Sequence, residues 1–428
     1  MQSSLDEREK RQSIIASFPS LYSIVIVKAN IPGSNKQLNI SYFLVNLFLE
    51  DLKAQLHVEK EAFFFGADGP WVLLALKQDA LFLKNKTIDI EENHPLGRFI
   101  DLDVYDDKRQ LLSRSDFSLP RRKCWLCNQD AVICARLKTH PLSSLIDYLY
   151  SKINDYLVNA LGNLVLEAGL DELKIPYKFG LVNLLDSGSH SDMNYHLMEL
   201  SLREIIPYFQ DLFSLGFFSN TDDESLEQAV IIGKNAETRM MNVTGGVNSY
   251  KGLIYILGAV LYSIGKCLRL GIKDLFSEIA SIGQKLETMQ KKAGLPMTFG
   301  SETYLKTPIK GVRGEVSKGL PSVRSIIDYF DDFSSDTLRK VLVKLIAITE
   351  DTVLLKRVNN LNRYNEIKAL FANINVNDYD PIALTKQCVQ ENLSFGGSAD
   401  LLIVAIFLKR FSQMFHLSIT NLDFKNYQ

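Results

Sequence analysis

Residues 94–106 read HPLGRFIDLDVYD, a polar turn followed by a run in which two aspartates alternate with apolar residues. Residues two apart on a strand point to the same side of the sheet, so the run predicts a strand with Asp101 and Asp103 on one face. Paired carboxylates suit Mg²⁺, which prefers oxygen ligands and often bridges to substrate phosphates. The pair therefore indicates a magnesium site for phosphoryl or nucleotidyl transfer, although D-x-D is also a common pattern without any function.

The segments around this strand predict the architecture of the N-terminal part. YSIVIVKAN (22–30) and WVLLALK (71–77) are β-branched or aromatic runs bounded by turn formers, whereas residues 41–55 carry apolar side chains at helical spacing. Strands mixed with helices in this way predict an α+β domain over residues 1–150, with an α/β arrangement as the alternative.

From about residue 141 the sequence changes to long segments with helical periodicity. The predicted helices cover residues 141–168, 201–217, 225–240, 250–270 and 338–348. Gly169 is expected to end the first of these helices. The fold is therefore predicted to be multidomain, with the α+β domain followed by a larger all-α domain over residues 151–428.

Bulk composition narrows the class of protein. The chain has 428 residues, 46% of them hydrophobic and 23% charged, with a formal net charge of −2. These values are typical of a globular protein and give no reason to expect nucleic acid or a membrane surface as a partner.

The polar start MQSSLDEREKRQS has no apolar core of a signal peptide, so we expect a cytoplasmic protein. The apolar runs 252–265 and 399–408 are shorter than the ~20 residues of a membrane span and predict buried helices.

Three of the five cysteines lie close together in the sequence. Cys124, Cys127, Cys134 and His140 form C-x2-C-x6-C-x5-H, four ligand types that could close tetrahedrally around a structural Zn²⁺. The alternative is that these are reduced cysteines packed in a strand-rich region. Both interpretations stay open at the level of sequence.

Basic residues on both sides of the aspartate pair are candidates for binding donor phosphates. Arg98 and Arg122 qualify because a guanidinium presents a fixed fork of donors to phosphate oxygens. Either arginine could equally cover the domain surface or pair with an acid.

The order of these motifs resembles a known family. HPLGRFIDLDVYD and RRKCWLCNQDAVICARLKTH (121–140) are the most specific stretches, and the N-terminal part is similar to the apo-citrate lyase phosphoribosyl-dephospho-CoA transferases over about residues 12–145. The resemblance implies a nucleotidyltransferase-like fold in which Asp101 and Asp103 hold Mg²⁺. It also implies attack by a serine of the citrate lyase acyl carrier protein on the α-phosphorus of a triphosphoribosyl donor, with release of pyrophosphate.

Five polar islands interrupt the apolar helices of the second half. They read KFGLVNLLDSGSHSDMN (178–194), TGGVNSYKG (244–252), GVRGEVSKGLPS (311–322), EDTVLLKR (350–357) and NLSFGGSADLL (392–402). Asp186 to Ser189 are predicted to begin a helix. The pairs Gly245-Gly246 and Gly396-Gly397 are predicted to stand directly before helices, where backbone N–H groups bind phosphate, although such pairs are more often plain turns.

Charged residues in these islands complete a candidate triphosphate site. Lys178, Lys251 and Arg313 are predicted to bind its phosphates. The predicted Mg²⁺ ligands and general base come from the acidic and imidazole side chains, namely His190, Asp192, Glu315, Asp351 and Asp400. For His190 the alternative is a histidine that caps a helix or packs in the core.

As an ordered set, the islands resemble the triphosphoribosyl-dephospho-CoA synthases over about residues 178–411. The resemblance implies that the 2'-hydroxyl of 3'-dephospho-CoA displaces adenine from ATP, with Asp192, Glu315 and Asp400 as the catalytic carboxylates. Residues expected to contact the nucleotide are His190, Gly246, Asn248, Lys251, Arg313, Gly396, Gly397 and Ser398. The chain departs from the family pattern at several positions, including Asn183, Tyr250 and Phe395.

Together the two resemblances imply a bifunctional enzyme that makes and attaches the prosthetic group of citrate lyase. ATP and 3'-dephospho-CoA would be its substrates and the citrate lyase acyl carrier protein its partner. Because of the departures, the alternative is that only the transferase half is active and the helical half binds a nucleotide or the carrier. A third interpretation moves the same chemistry to malonate decarboxylase.

Overall fold

The computed structural model describes residues 4–219, 222–293, 309–419 and 422. The chain divides into two compact units. Unit 1 takes in the chain as far as Leu157 and a short return segment, Phe415–Ser418. Unit 2 comprises Val158–Met414 and Ile419–Leu422. A small sheet lies in unit 1, and the described part of unit 2 is helical, so the protein has the two-domain architecture of an α+β part and an all-α part.

Unit 1 is built on a five-stranded sheet of order β2-β3-β1-β4-β5, in which every pair of neighbours is antiparallel. The strands are β1 (Ser23–Ala29), β2 (Lys60–Gly66), β3 (Gly69–Leu76), β4 (Ile100–Tyr105) and β5 (Leu111–Leu112). The helices are α1 (Ser4–Ser17), α2 (Asn39–Gln55), α3 (Ala80–Asn93), α4 (Ala131–Leu137) and the first part of α5 (Leu142–Leu173). Because the sheet is antiparallel, the arrangement is α+β and not α/β.

The predicted strands and helix of this unit are confirmed. β1 and β3 are almost entirely buried, as expected for central strands made of β-branched and aliphatic residues. α2 buries its apolar side chains at helical spacing. The return segment is fixed to α2, because Asn46 Nδ2 donates a hydrogen bond of 3.0 Å to the carbonyl oxygen of Phe415 and the rings of Phe43 and Phe415 lie 5.8 Å apart.

The remaining described helices begin with four long ones and continue with helices of between 6 and 20 residues. They are α6 (Tyr195–Phe218), α7 (Asp222–Val243), α8 (Lys251–Leu270), α9 (Leu275–Ala293), α10 (Gly311–Ser317), α11 (Pro321–Ile326), α12 (Ser335–Ile348), α13 (Thr352–Val358), α14 (Leu361–Ala372), α15 (Pro381–Gln390) and α16 (Gly396–Phe415). The periodicity predicted the interiors of α6, α7, α8 and α12 correctly. α8 is long and apolar enough to pass a composition test for a membrane span, but 83% of that window is buried, as in a core helix.

Two predicted helix boundaries are wrong. α5 continues through Gly169 because this glycine admits Leu202 of α6, whose Cδ2 lies only 2.3 Å from where a Cβ would stand. No helix begins at residues 186–189; α6 begins after Asn194, whose side chain accepts the N–H of Leu197 at 3.0 Å.

The glycine pair at 245–246 also has a different role from the predicted one. Gly245 has φ +66° and the N–H of Gly246 donates to the carbonyl oxygen of Met241 at 2.8 Å, which is the hydrogen bond that closes a helix at its C-terminus. The pair therefore ends α7 instead of preceding α8. Gly396 and Gly397, in contrast, form the start of α16.

Candidate active sites

In unit 1 the two predicted metal ligands share one face of β4. Ile100, Leu102 and Val104 are buried in the core, whereas Asp101 and Asp103 between them keep partial exposure. Burial raises the pKa of Asp103, and the like charge of Asp101 raises it further. A cation would relieve this repulsion and two carboxylates are hard oxygen ligands, so the pair fits Mg²⁺.

A third carboxylate and three cations lie near this face. Asp68, in the two-residue turn between β2 and β3, accepts a hydrogen bond from Lys28 Nζ and one of 3.1 Å from Arg11 Nη1. Burial alone would raise the pKa of Asp68, but these hydrogen bonds outweigh it and hold the pKa below its usual value. Burial and Lys28 lower the pKa of Lys36, which also feels the charge of Asp101. The D-G pair in GADGPW (66–71) was visible as a turn signal, but nothing in it indicated that Asp68 meets β1.

The two predicted phosphate-binding arginines both have protein partners. Arg122 Nη1 donates to Asp101 Oδ1 at 2.8 Å, and its Nη2 contacts the buried Glu91. Arg98 Nη2 donates to the carbonyl oxygen of Lys123. Arg122 therefore pairs with acidic residues, which was the alternative to phosphate binding. Its ion pair with Asp101 places the guanidinium directly beside one of the two aspartates.

His94, at the head of the same motif, packs in the interior of unit 1. Its ring lies 4.6 Å from Phe48 and 5.4 Å from Tyr156, and its Nδ1 accepts the N–H of Leu96 at 3.0 Å. Burial lowers the pKa of His94 to about 4. The imidazole is therefore neutral near pH 7 and supports the turn before β4.

The structure brings Cys124, Cys127, Cys134 and His140 together. Their ligand atoms all lie within 4.8 Å of one another, and His140 Nε2 is 3.3 Å from Cys127 Sγ. None of these cysteines is in a disulfide. The cluster lies in a turn and in α4 and not among the strands of the sheet.

In unit 2, Asp351 joins two of the polar islands. Its Oδ1 accepts the N–H groups of Val353 and Leu354 at 2.9 and 3.2 Å, and its Oδ2 accepts the N–H and the hydroxyl of Ser398 at 2.9 and 3.0 Å. A carboxylate has about four acceptor positions, and these four donors use them. The prediction that Asp351 holds Mg²⁺ therefore does not fit; Asp351 caps α13 and fixes Ser398 at the start of α16.

Asp400 lies where α16 meets the start of α8. A Cβ on Gly252 would stand 2.1 Å from Asp400 Oδ2, so the glycine allows the carboxylate to approach the helix, where the N–H of Leu253 donates to it. Burial raises the pKa of Asp400 well above its usual value, and the charges of Asp351 and Glu172 add to the effect. A carboxyl that keeps partial exposure and has a raised pKa is a candidate for proton transfer.

Glu315 lines a cleft of about 310 Å³ with Lys318, Ser325 and Glu350. Its carboxylate accepts the hydroxyl of Ser322 at 2.6 Å and the N–H of the same residue at 3.2 Å. Burial raises the pKa of Glu315 in spite of these bonds. The helix that carries Glu315 contacts the Asp351 segment, because a Cβ on Gly311 would meet Thr352 at 2.7 Å.

His190 is held by residues of two other islands. Arg357 Nη2 contacts its Nδ1 at 3.1 Å, and its Nε2 lies 3.0 Å from the hydroxyl oxygen of Ser394. Because a guanidinium can only donate, Nδ1 is the acceptor and the neutral ring carries its proton on Nε2. Burial lowers the pKa of His190 and Arg357 lowers it further. Asp192 is exposed, 3.8 Å from Nδ1.

The remaining predicted ligands of unit 2 are placed as follows. Lys251 Nζ donates to Glu237 at 2.6 Å, and Asn248 accepts the N–H of Lys251 at 3.2 Å. Arg313 lies over the ring of Tyr255 at 5.9 Å. Lys178 does not fit its predicted phosphate role: it is 1% exposed and donates to Glu172 Oε1 at 2.6 Å inside the core.

Two family profiles divide the chain near the boundary between the units. The profile of the family described as apo-citrate lyase phosphoribosyl-dephospho-CoA transferase matches residues 1–156. The profile described as ATP:dephospho-CoA triphosphoribosyl transferase matches residues 158–418.

Similar curated proteins span both segments. The chain is 31% identical to Protein CitXG of Haemophilus influenzae, covering 92% of this chain and 87% of the relative. It is 30% identical to Protein CitXG of Leuconostoc mesenteroides subsp. cremoris, covering 95% and 96%. It is also 26% identical to 2-(5''-triphosphoribosyl)-3'-dephosphocoenzyme-A synthase of Haemophilus ducreyi, covering 66% of this chain and 98% of that protein. With both profiles in this order and relatives matched over nearly their whole length, the chain belongs to the CitXG family of transferases.

Proposed function

We propose that the chain carries out two consecutive reactions in the cytoplasm, and that the domains over residues 1–150 and 151–428 each contain one active site. The helical domain joins ATP to 3'-dephospho-CoA and releases adenine. The nucleotidyltransferase-like domain then transfers phosphoribosyl-dephospho-CoA to a serine of the citrate lyase acyl carrier protein and releases pyrophosphate. The observation that carries the proposal is that each unit has its own partly exposed carboxyl with a raised pKa, Asp103 in one and Asp400 in the other.

In the first reaction the 2'-hydroxyl oxygen of 3'-dephospho-CoA forms a bond to the anomeric carbon of the ATP ribose, and the bond from that carbon to adenine breaks. Asp400 takes the hydroxyl proton, because it is a carboxylate at the start of α8 whose pKa burial raises above that of an ordinary aspartate. Glu315, which lines a cleft of its own, supplies a second carboxylate, and Lys251 and Arg313 bind the triphosphate.

In the second reaction the serine oxygen of the carrier forms a bond to the α-phosphorus, and the bond to pyrophosphate breaks. Asp101 and Asp103 would hold Mg²⁺, which would neutralise charge on the pyrophosphate that leaves. Arg122 lies at hydrogen-bond distance from Asp101 and can turn one of its N–H groups to a donor phosphate. Lys28 and Lys36 add positive charge at the same face.

The experiment that tests this proposal follows the two products separately. The purified chain is incubated with ATP, Mg²⁺ and 3'-dephospho-CoA, free adenine is measured, and the citrate lyase acyl carrier protein is then added for mass analysis. We expect adenine release followed by a phosphoribosyl-dephospho-CoA adduct on the carrier. If adenine is not released but supplied donor still modifies the carrier, the helical half is a binding module. Equal modification of the malonate decarboxylase carrier would contradict the assignment to citrate lyase.

A further inference from the structure

The three cysteines of residues 124–140 have no part in either proposed reaction, so their arrangement needs its own explanation. Cys124 begins a tight turn, closed by a hydrogen bond of 2.8 Å from its N–H to the carbonyl oxygen of Gln129 and by one of 2.9 Å from Ala131 to Arg122. Cys127 lies in the same turn, Cys134 on α4, and His140 just before α5.

The four ligand atoms have nearly the spacing of a tetrahedral site. A zinc ion bound at about 2.3 Å from sulfur and about 2.0 Å from nitrogen places its ligands roughly 3.5 to 3.8 Å apart. Here the ligand atoms lie within 4.8 Å of one another, and the His140 Nε2 to Cys127 Sγ distance is already 3.3 Å. Shifts of about 1 Å would close the site around one ion.

The helix of this segment buries little apolar surface of its own. α4 has seven residues, fewer than an isolated helix needs, and Cys134 is its buried residue. Its larger apolar side chains are exposed instead, Val132 by 49%, Ile133 by 46% and Leu137 by 71%. A short element that buries so little apolar surface usually depends on a metal or a disulfide.

We propose that Cys124, Cys127, Cys134 and His140 bind one structural zinc ion, and that this ion holds the segment so that Arg122 stands beside Asp101. Four protein ligands leave no open position, which is typical of a structural and not a catalytic site. Arg122 lies two residues before the first ligand.

Two further contacts connect the ligands to the start of β4. Trp125, between Cys124 and Cys127, lies edge-on to Phe99 with ring centroids 4.8 Å apart. The Lys123 carbonyl oxygen accepts a hydrogen bond from Arg98. The zinc ion would therefore position Arg122 for the transfer reaction. This positioning role rests on the proposed function, in which Arg122 binds a donor phosphate.

The first experiment measures bound metal and does not depend on enzymatic activity. The full-length chain, produced in zinc-supplemented medium and dialysed against metal-free buffer, should contain about one zinc per chain by mass spectrometry of the metal. The cobalt-exchanged chain should show the visible absorption of a tetrahedral thiolate site. Absence of bound metal with a flat cobalt spectrum would overturn the proposal, and so would a disulfide between Cys124 and Cys127 in the freshly purified chain.

Variants test the ligands and the positioning role. Cys127→Ser should lose zinc, whereas His140→Cys should retain it because a fourth thiolate is an equivalent ligand. The double variant Cys267→Ala/Cys388→Ala, which changes the buried cysteines of unit 2, is the matched control and should retain zinc. In Cys127→Ser, transfer from supplied donor should fall at least 10-fold with adenine release unchanged.

Fluorescence separates ordering of the segment from catalysis. Removal of zinc should change the emission of Trp125, and the change should vanish in Trp125→Phe. A zinc-free Cys127→Ser chain that transfers at the wild-type rate would overturn the positioning role. A wild-type chain that binds zinc but never modifies the carrier would instead contradict the proposed function and leave the zinc site standing.

Discussion

The two candidate sites differ in how their acidic residues come together. In unit 1, Asp101 and Asp103 are two residues apart on one strand, so the geometry of the strand alone places both on one face. In unit 2, Asp351 and Asp400 come from separate helical segments, and only packing brings each of them to the start of another helix. The comparison teaches that the shared face of a D-x-D pair can be predicted from sequence once the strand is recognised. The role of a single acidic residue in a helical domain cannot, because the same residue type caps helices and takes part in catalysis.

The strongest test of this comparison is Asp103→Asn. The variant keeps the shape of the side chain but removes a charge from the proposed metal site, so transfer from supplied donor should fall by about 10² to 10⁴-fold. Adenine release should be unchanged. Asp107→Asn, an exposed position just beyond β4, is the matched control. Carrier modification at the wild-type rate in Asp103→Asn would remove this residue from the site.

The reciprocal test is Asp400→Asn. Loss of the proposed general base should lower the rate of adenine release by about 10² to 10⁴-fold and leave transfer from supplied donor intact. The raised pKa of Asp400 also predicts that the acid limb of the wild-type pH profile lies above that of an ordinary aspartate, because the base must be deprotonated to act. The exposed Asp378→Asn provides the control. If both activities are lost together, the two sites are not independent.

Lys178→Met distinguishes a core ion pair from a phosphate ligand. Removal of one partner leaves the buried Glu172 without its counter-charge, so unit 2 should lose about 3 to 5 kcal/mol of its free energy of unfolding, measured by circular dichroism in urea. Glu172→Gln/Lys178→Met should recover much of the loss, and the exposed Lys174→Met should be neutral. A stable Lys178→Met chain with a raised KM for ATP would support the phosphate role instead.

Gly252→Ala tests the close approach of Asp400 to α8. The added Cβ would overlap Asp400 Oδ2, so the carboxylate must move and adenine release should fall about 10 to 100-fold. Gly233→Ala is the control, because no atom lies within 4 Å of its added Cβ. This control should be neutral or stabilise α7 by up to about 1 kcal/mol. An active Gly252→Ala chain would mean that the position of Asp400 does not matter.

The smallest expected effect concerns the pH dependence of unit 1. The pKa of His94 is about 4 when folded, below its usual 6.5, so the native state binds fewer protons between these values. Stability should therefore be lost as pH falls from about 6.5 to 4, by no more than about 2 kcal/mol after allowance for solvent screening.

His94→Phe should flatten this pH dependence, whereas the exposed His57→Phe should not. Tryptophan fluorescence is a suitable probe, because both tryptophans, Trp71 and Trp125, belong to unit 1. An unchanged pH dependence in His94→Phe would contradict the assignment.

Much of the fold could be predicted because periodicity is a local signal. The strands around 22–30 and 71–77 and the interiors of the long helices follow from alternating or helical apolar patterns. The predictions of helix ends that were wrong also have a physical cause. Gly169 has the sequence of a helix end but is needed for contact with Leu202, and Gly245 closes one helix although it precedes another.

The candidate sites show the same division. The spacing C-x2-C-x6-C-x5-H indicated a cluster because its members are near in sequence, and the structure brings them together. Asp68 and Arg357 were not singled out, because each lies in a segment whose own pattern is that of a turn or a helix. Their partners, Lys28 and His190, are far away in the chain.

The sequence by itself determined the types of the secondary structures, the shared face of Asp101 and Asp103, and the grouping of the cysteines, since each depends on neighbours within a few residues. Only the tertiary structure decided that Asp351 caps α13 and binds Ser398, that Lys178 is buried against Glu172, and that Gly252 admits Asp400. These roles depend on which helices pack together. Periodicity records that a residue is buried, but not which distant group it meets.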